Sequence, residues 1–190
     1  IKANVSLNGP IALLKRKSTA QRVHTEGTIE LRGLNFLLGT DRLHFKNLNG
    51  SLQFNNNDLA MSDLRGKFEN SDFLLNGFFK NIVTFLIFED QPIGIEADLK
   101  SDFLDVDQLF AIGFGTDEKG PYKFSISRNL NLNFTYAVKS MKYKRFHPAS
   151  INGDLLVKGQ VAVARNMQLE VMGGTISLTG IVDAKNPKAI

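Results

Sequence analysis

Leu48-Asn-Gly-Ser-Leu-Gln-Phe-Asn-Asn-Asn-Asp-Leu-Ala-Met-Ser-Asp-Leu-Arg-Gly-Lys-Phe-Glu-Asn-Ser-Asp-Phe-Leu-Leu-Asn-Gly-Phe78 carries the pattern that decides the fold. Leu52 and Phe54 alternate with Ser51 and Gln53. A period of two places successive side chains on opposite faces of a strand, so such a segment is apolar on one side and polar on the other. Asn55-Asn56-Asn57-Asp58 and Asn70-Ser71-Asp72 interrupt the alternation. Asn, Asp and Gly tolerate positive φ and close tight hairpins, and strands joined by such turns pair antiparallel.

The same pattern extends in both directions. Ile29 and Leu31 alternate with Thr28 and Glu30, and Leu130, Leu132, Phe134 and Tyr136 alternate with Asn129, Asn131, Asn133 and Thr135. Val161 and Val163, then Met167, Leu169 and Val171, then Ile176 and Leu178 continue it, with turns at Lys158-Gly159-Gln160 and Gly173-Gly174. The opening stretch also repeats at an offset of 103: Leu48-Asn49-Gly50 falls on Ile151-Asn152-Gly153, Leu64 on Met167, Phe68 on Val171, Phe73 on Ile176, Leu75 on Leu178 and Gly77 on Gly180. Two copies of one β-meander follow from this register. The expected fold is all-β, with repeated antiparallel meanders forming a curved open sheet or groove. Its units are 1–100, a short helix and connection at 101–120, and 121–190. Two segments escape the alternation. Residues 81–89 are apolar on all sides and fit one or two helical turns. Residues 105–112 fit a short helix, with Asp105 at the N-cap and Gln108 at capping-box spacing.

Composition excludes several classes of function. Apolar residues make up 43% of the chain and charged residues 22%, a globular balance. No apolar run approaches the ~20 residues of a membrane-spanning helix. There is no cysteine, which removes disulfides, thiolate metal sites and thiol nucleophiles. No P-loop, dinucleotide fingerprint or nucleophile elbow occurs, and His24, His44 and His147 have no ligand spacing. No catalytic residue, cofactor or metal is therefore expected. Asp102, Asp105 and Asp107 lack the glycine and distal Glu of a calcium loop, and helix capping and dipole matching account for Asp105 and Asp107 more simply. The net charge of +4 favours anionic partners weakly. Lys15-Arg16-Lys17 is one basic stretch; Lys139, Lys142, Lys144 and Arg145, interleaved with Tyr143 and Phe146, form another. The second set suits strand-edge protection or anionic lipid headgroups, and nucleic acid is not an expected partner.

Leu48-Asn-Gly-Ser-Leu-Gln-Phe54, Leu59-Ala-Met-Ser-Asp-Leu-Arg-Gly66, Asp72-Phe-Leu-Leu-Asn-Gly-Phe78 and Leu99-Lys-Ser-Asp-Phe-Leu-Asp-Val-Asp-Gln-Leu109 resemble an AsmA-like domain. Ile151-Asn-Gly-Asp-Leu155 and Gly173-Gly-Thr-Ile-Ser-Leu-Thr-Gly180 resemble the C-terminal region of the same family. The resemblance spans about residues 25–185 and consists of Gly and alternating apolar positions. It implies a repeating β-groove protein of the Gram-negative envelope, held in the inner membrane by a helix outside this sequence and projecting into the periplasm. It also implies phospholipid transport between membranes and a part in outer-membrane assembly, with no catalytic residues. The sequence begins at Ile1 without a targeting segment, in keeping with a piece of a longer chain.

The groove reading assigns acyl-chain contact to Leu52, Phe54, Phe68, Phe73, Leu75, Leu130, Leu132, Phe134, Val157, Leu169, Val171, Ile176 and Leu178, and headgroup contact to Lys139, Lys142, Lys144 and Arg145. The same alternation also builds a closed sandwich, in which these side chains would meet one another. The alternative function is a non-enzymatic structural or assembly domain that binds an envelope protein by adding a strand to an open edge.

Overall fold

A computed structural model describes residues 1–10, 24–38, 43–108 and 126–185. Ten strands form one sheet in chain order: β1 (Lys2–Asn8), β2 (His24–Leu38), β3 (Leu43–Asn55), β4 (Asp58–Phe68), β5 (Ser71–Lys80), β6 (Ile93–Asp105), β7 (Leu130–Lys142), β8 (Ala149–Lys158), β9 (Val161–Val171) and β10 (Gly174–Asp183). The sheet is open, all-β and mostly antiparallel, as the alternation anticipated. One helix, α1 (Ile82–Ile87), falls inside the expected 81–89 segment. Val106–Gln108 begin the second helical segment, and 109–112 lie outside the described residues, as do Leu109, Phe110 and Lys15-Arg16-Lys17.

The repeat is reproduced in the backbone. Adding 103 to Asp58–Phe68 gives Val161–Val171, and adding it to Ser71–Lys80 gives Gly174–Asp183, so β4 maps onto β9 and β5 onto β10 residue for residue. The pairing keeps the same offset. Leu52↔Met61, Asn49↔Arg65 and Lys46↔Lys67 become Leu155↔Ala164, Asn152↔Gln168 and Ala149↔Glu170, with the register shifts at equivalent places. Residues in the left-handed region also coincide: Asn47 with Ser150, Asn56 with Gly159, Asp63 with Asn166, and Glu69 with Met172. Asn56 and Gly159 serve hairpin turns, whereas Asp63 and Asn166 lie at register shifts within strands. A bulge adds one residue to one strand, bends it and increases its twist. Repeated at corresponding points of neighbouring strands, bulges curve the sheet.

The bulges also re-phase the alternation. On β9, Leu155 pairs with Ala164 and Val157 with Ala162, so these alanines lie on the apolar face before the bulge at Asn166, and Met167, Leu169 and Val171 after it. Val161 and Val163, expected on that face from their spacing, pair with Lys158 and Leu156 and therefore lie on the opposite one.

One strand pair departs from the meander. β6 and β7 run parallel, from Ile93↔Leu130 to Asp105↔Lys142. Parallel neighbours cannot be joined by a tight turn, and residues 106–129 separate these two strands in the chain. This junction fuses the first meander, β2–β5 with β6 beside it, to the second, β7–β10.

α1 is held without a cap of its own, since Asn81 is left-handed at φ 63 and makes no side-chain cap bond. Asn57, in the β3–β4 turn, replaces the cap: its Oδ1 accepts the Thr84 N–H at 2.8 Å, and its Nδ2 donates to Asn81 Oδ1 and Thr84 Oγ1. A helix terminus is thereby satisfied from a neighbouring strand pair.

Candidate functional site

Cross-strand partners share a face of the sheet, and the registers carry this relation from strand to strand. Phe54 and Leu52 pair with Leu59 and Met61. Leu75 pairs with Leu64 on one side and Leu99 on the other. Ile95, Ala97 and Leu99 lie beside Leu132, Phe134 and Tyr136, and Leu132 in turn pairs with Val157. Leu169 and Met167 pair with Ile176 and Leu178. Phe68 pairs with Phe45, Gly66 with Phe73, Ile93 with Leu130, and Val171 with Gly174. All thirteen apolar candidates thus occupy the same face. Ten strands at ~4.8 Å spacing make that face about 45 Å across.

Its depth is uneven. Val138, Ile151 and Leu169 form a buried cluster packed by Leu104, Tyr136, Met141, Met167 and Val171. Phe68 and Val157 are buried as well. A second consolidated patch is aromatic: Phe36 stacks on Phe45, and Phe45 meets Phe68 at a tilt, both with ring centroids 4.8 Å apart. Leu52, Phe54, Phe73, Leu75, Leu130, Leu132, Phe134 and Val171 are half-buried. Ile176 and Leu178 are exposed. Among the described residues no second sheet lies over this face. Sequence reasoning passed over much of β6, although Ile93, Ile95, Ala97 and Leu99 show the same period of two and stand in the middle of the face.

The basic candidates are less available than their spacing suggested. Lys139 Nζ lies 2.7 Å from Asp102 Oδ1, and this hydrogen bond, followed by the carboxylate's charge, raises the lysine's pKa. The pair is exposed, so it contributes little to stability. Lys142 Nζ lies 3.2 Å from Asp105 Oδ2, with Asp107 at 3.9 Å. Asp105 is buried, so this contact compensates a carboxylate held away from water. Asp105 also accepts the Gln108 N–H at 3.4 Å, the capping contact expected from its position. The reciprocal half of a capping box is replaced: the Asp105 N–H donates to Ser71 Oγ, and Gln108 Oε1 accepts from the Asn70 N–H. Asp107 accepts the Lys144 N–H through both oxygens. The three aspartates therefore position a helix start, the side chains of Lys139 and Lys142, and the backbone of Lys144. Lys144 Nζ lies over the Tyr143 ring at 5.4 Å, and Arg145 is exposed in the β7–β8 connection.

Near α1 a cavity of about 470 Å³ is lined by Phe85, Phe88, Glu89, Asp90, Gln91, Ser127 and Asn129. None of the thirteen face residues lines it. Among the described residues no His, Asp and Glu group is placed to hold a metal ion, and no helix is long and apolar enough to cross a membrane.

The architecture defines an all-β protein built as a single open sheet with a continuous apolar face. Comparison with protein-family models, curated proteins and solved structures yields no match to this chain.

Proposed function

We propose that the chain is a non-enzymatic lipid-binding module of the cell envelope, shielding phospholipid acyl chains on the apolar face and so supporting phospholipid transport between membranes and outer-membrane assembly. The observation that carries this reading is an apolar face running across ten strands, with no second sheet over it among the described residues. An aliphatic surface of that extent in water is costly, at ~25 cal/mol per Å². Each acyl CH₂ laid against it gains about 0.8 kcal/mol by leaving water. The half-buried Leu52, Phe54, Leu75, Leu132 and Phe134 form the binding surface, while Phe68, Val157 and Leu169, buried on the same face, stiffen it. Exposed Arg145, with Lys144, lies at one end of the sheet for an anionic headgroup. The resemblance of the Leu48–Phe78 and Ile151–Gly180 motifs to AsmA-like proteins supports the same reading, with a periplasmic setting and an inner-membrane anchor outside this sequence.

Native mass spectrometry tests it on protein made in a Gram-negative host and purified without detergent. The expected result is co-purified phospholipid, lost in Phe134→Glu while the far-ultraviolet β signature is retained. Lipid-free protein that takes up no fluorescent phospholipid would sink the reading.

A further inference from the structure

One end of the sheet carries two hairpin tips side by side. Ser140↔Ala149 and Ala149↔Glu170 place the β7–β8 connection next to the β9–β10 turn, two strand spacings or about 10 Å apart. The first tip is firmly held. Tyr143 and Phe146 exchange backbone hydrogen bonds at 2.9 and 2.8 Å around a left-handed Lys144, whose N–H donates to Asp107. Behind them Pro148 is fully buried, and its carbonyl accepts the Met141 N–H at 3.1 Å. The apex nevertheless faces water. Phe146 is 39% exposed, and exposed Arg145, unlike Lys139 and Lys142, makes no ion pair among the described residues.

The second tip departs from its repeat. The offset of 103 carries His44 onto His147 and Glu69 onto Met172. In the first meander Glu69 Oε1 accepts the His44 N–H at 2.7 Å. Methionine offers no carboxylate for that bond. Met172 is instead 101% exposed, so it packs on nothing, and its φ of 51 is a conformation better suited to Gly or Asn. The second meander thus gives up an internal hydrogen bond and presents a bare thioether beside an aromatic ring.

We infer that this end of the sheet docks on a phospholipid bilayer, with Phe146 and Met172 entering the interface and Arg145 meeting lipid phosphate. The inference rests on the lipid-module reading for its choice of partner, and it names the end of the sheet that meets the membrane. Apolar and aromatic groups on a preformed tip enter the headgroup region at little ordering cost. One cation beside an anionic leaflet strengthens association about fivefold.

The chain has no tryptophan, so Phe146→Trp carries a unique fluorophore. Phe85→Trp places one on α1, at the opposite end of the sheet. Each full-chain variant is mixed with vesicles of equimolar phosphatidylcholine and phosphatidylglycerol. Emission from Phe146→Trp should shift to the blue and be quenched by brominated acyl chains, while that from Phe85→Trp stays in place. Adding Met172→Glu, which installs the residue of the first meander, should weaken docking at least about fivefold without lowering the melting temperature. Adding Arg145→Gln should weaken it about fivefold on these vesicles and less on phosphatidylcholine alone. An unmoved Phe146→Trp emission, an equal shift in both tryptophan variants, or docking indifferent to Met172→Glu would overturn the inference. So would a blue shift that needs no vesicles and grows with protein concentration, which would give the tips to a second copy. Phospholipid that co-purifies with a chain whose tip ignores vesicles would sink this inference and leave the acyl-shielding reading standing. A chain that docks but never carries phospholipid would do the reverse.

Discussion

The β4–β5 hairpin and the β9–β10 hairpin share one backbone and differ in their surroundings. Both have bulges at equivalent residues, Asp63 and Asn166, and matching left-handed turn positions at Glu69 and Met172. Their side chains correspond in place and mostly differ in identity: Phe73 and Ile176, Phe78 and Ile181, Phe79 and Val182, with leucine kept at 75 and 178. The first hairpin is flanked on both sides, by β3 and β6; among the described residues the second is flanked by β8 on one side. Its outer strand consequently exposes nearly every residue it carries. Turn chemistry and alternation thus suffice to specify the shape of the meander, whereas burial is conferred by the next strand. The contrast predicts that equivalent substitutions have unequal consequences.

Gly77→Ala against Gly180→Ala gives the largest expected difference. At position 77 the new methyl collides with the β6 backbone, and φ is +147, a region that L side chains rarely adopt. Overpacking costs about 1–3 kcal/mol and a strained backbone conformation a further 1–3 kcal/mol, so Gly77→Ala should destabilise by about 4 kcal/mol. Gly180→Ala should lie within about 0.5 kcal/mol of wild type, as surface substitutions usually do. Urea denaturation of both variants measures this, and equal losses would show that the two glycines have like surroundings and would break the contrast.

The same comparison explains what was legible in the sequence. Asn70-Ser71-Asp72 and Gly173-Gly174, the glycines and the alternating Leu and Phe positions are local signals, and they disclosed the repeat, the hairpins and the shared apolar face. The parallel β6–β7 pair was not legible, because that partnership joins residues far apart in the chain and no local motif specifies it. Val161 and Val163 misled for a different reason: a bulge at Asn166 shifts the phase of β9, and spacing alone does not reveal which side of the bulge faces the core. Lys139 and Lys142 looked available because the carboxylates of Asp102 and Asp105 reach them only once β6 and β7 are side by side. The candidate site was readable as a set of positions, but not in its depth, since exposure depends on neighbours that the period of two does not encode.

Depth is open to measurement on a single strand pair. Leu169 and Leu178 lie on the same face of β9 and β10, yet Leu169 belongs to the cluster with Val138 and Ile151 while Leu178 is exposed. Leu169→Ala should cost about 3 kcal/mol through lost burial and the cavity left behind. Leu178→Ala should cost under about 1 kcal/mol, because most of its surface is already in water. If a strand is supplied to β10, the Leu178→Ala penalty should rise towards that of Leu169→Ala. A penalty unmoved by the docked strand would separate burial from edge coverage.

The smallest expected effect concerns the glycines at the centre of each meander. Gly50 faces Leu31 across β2 and β3, whereas Gly153 faces Tyr136 across β7 and β8. The Tyr136 hydroxyl lies 2.8 Å from where a Cβ of Gly153 would stand, so the aromatic side chain fills the room the glycine leaves. That hydroxyl oxygen is buried, with no hydrogen-bond partner among the described residues. Burial, and then the negative charge of Asp154, raise the tyrosine's pKa above its ordinary value of 10.0. The folded state therefore resists ionisation more than the unfolded chain does. Stability from this group is whole below pH 10 and is lost as pH rises through the folded-state value. Tyr136→Phe keeps the ring over Gly153 and removes an unsatisfied polar atom, so at pH 7 it should be neutral or stabilising by up to about 1 kcal/mol. Its advantage should widen as pH passes 10. Melting curves collected from pH 8 to 11 for the two proteins would decide the matter: curves that stay parallel throughout would mean that the hydroxyl reaches water, and that the second meander opens at its centre as well as at its edge.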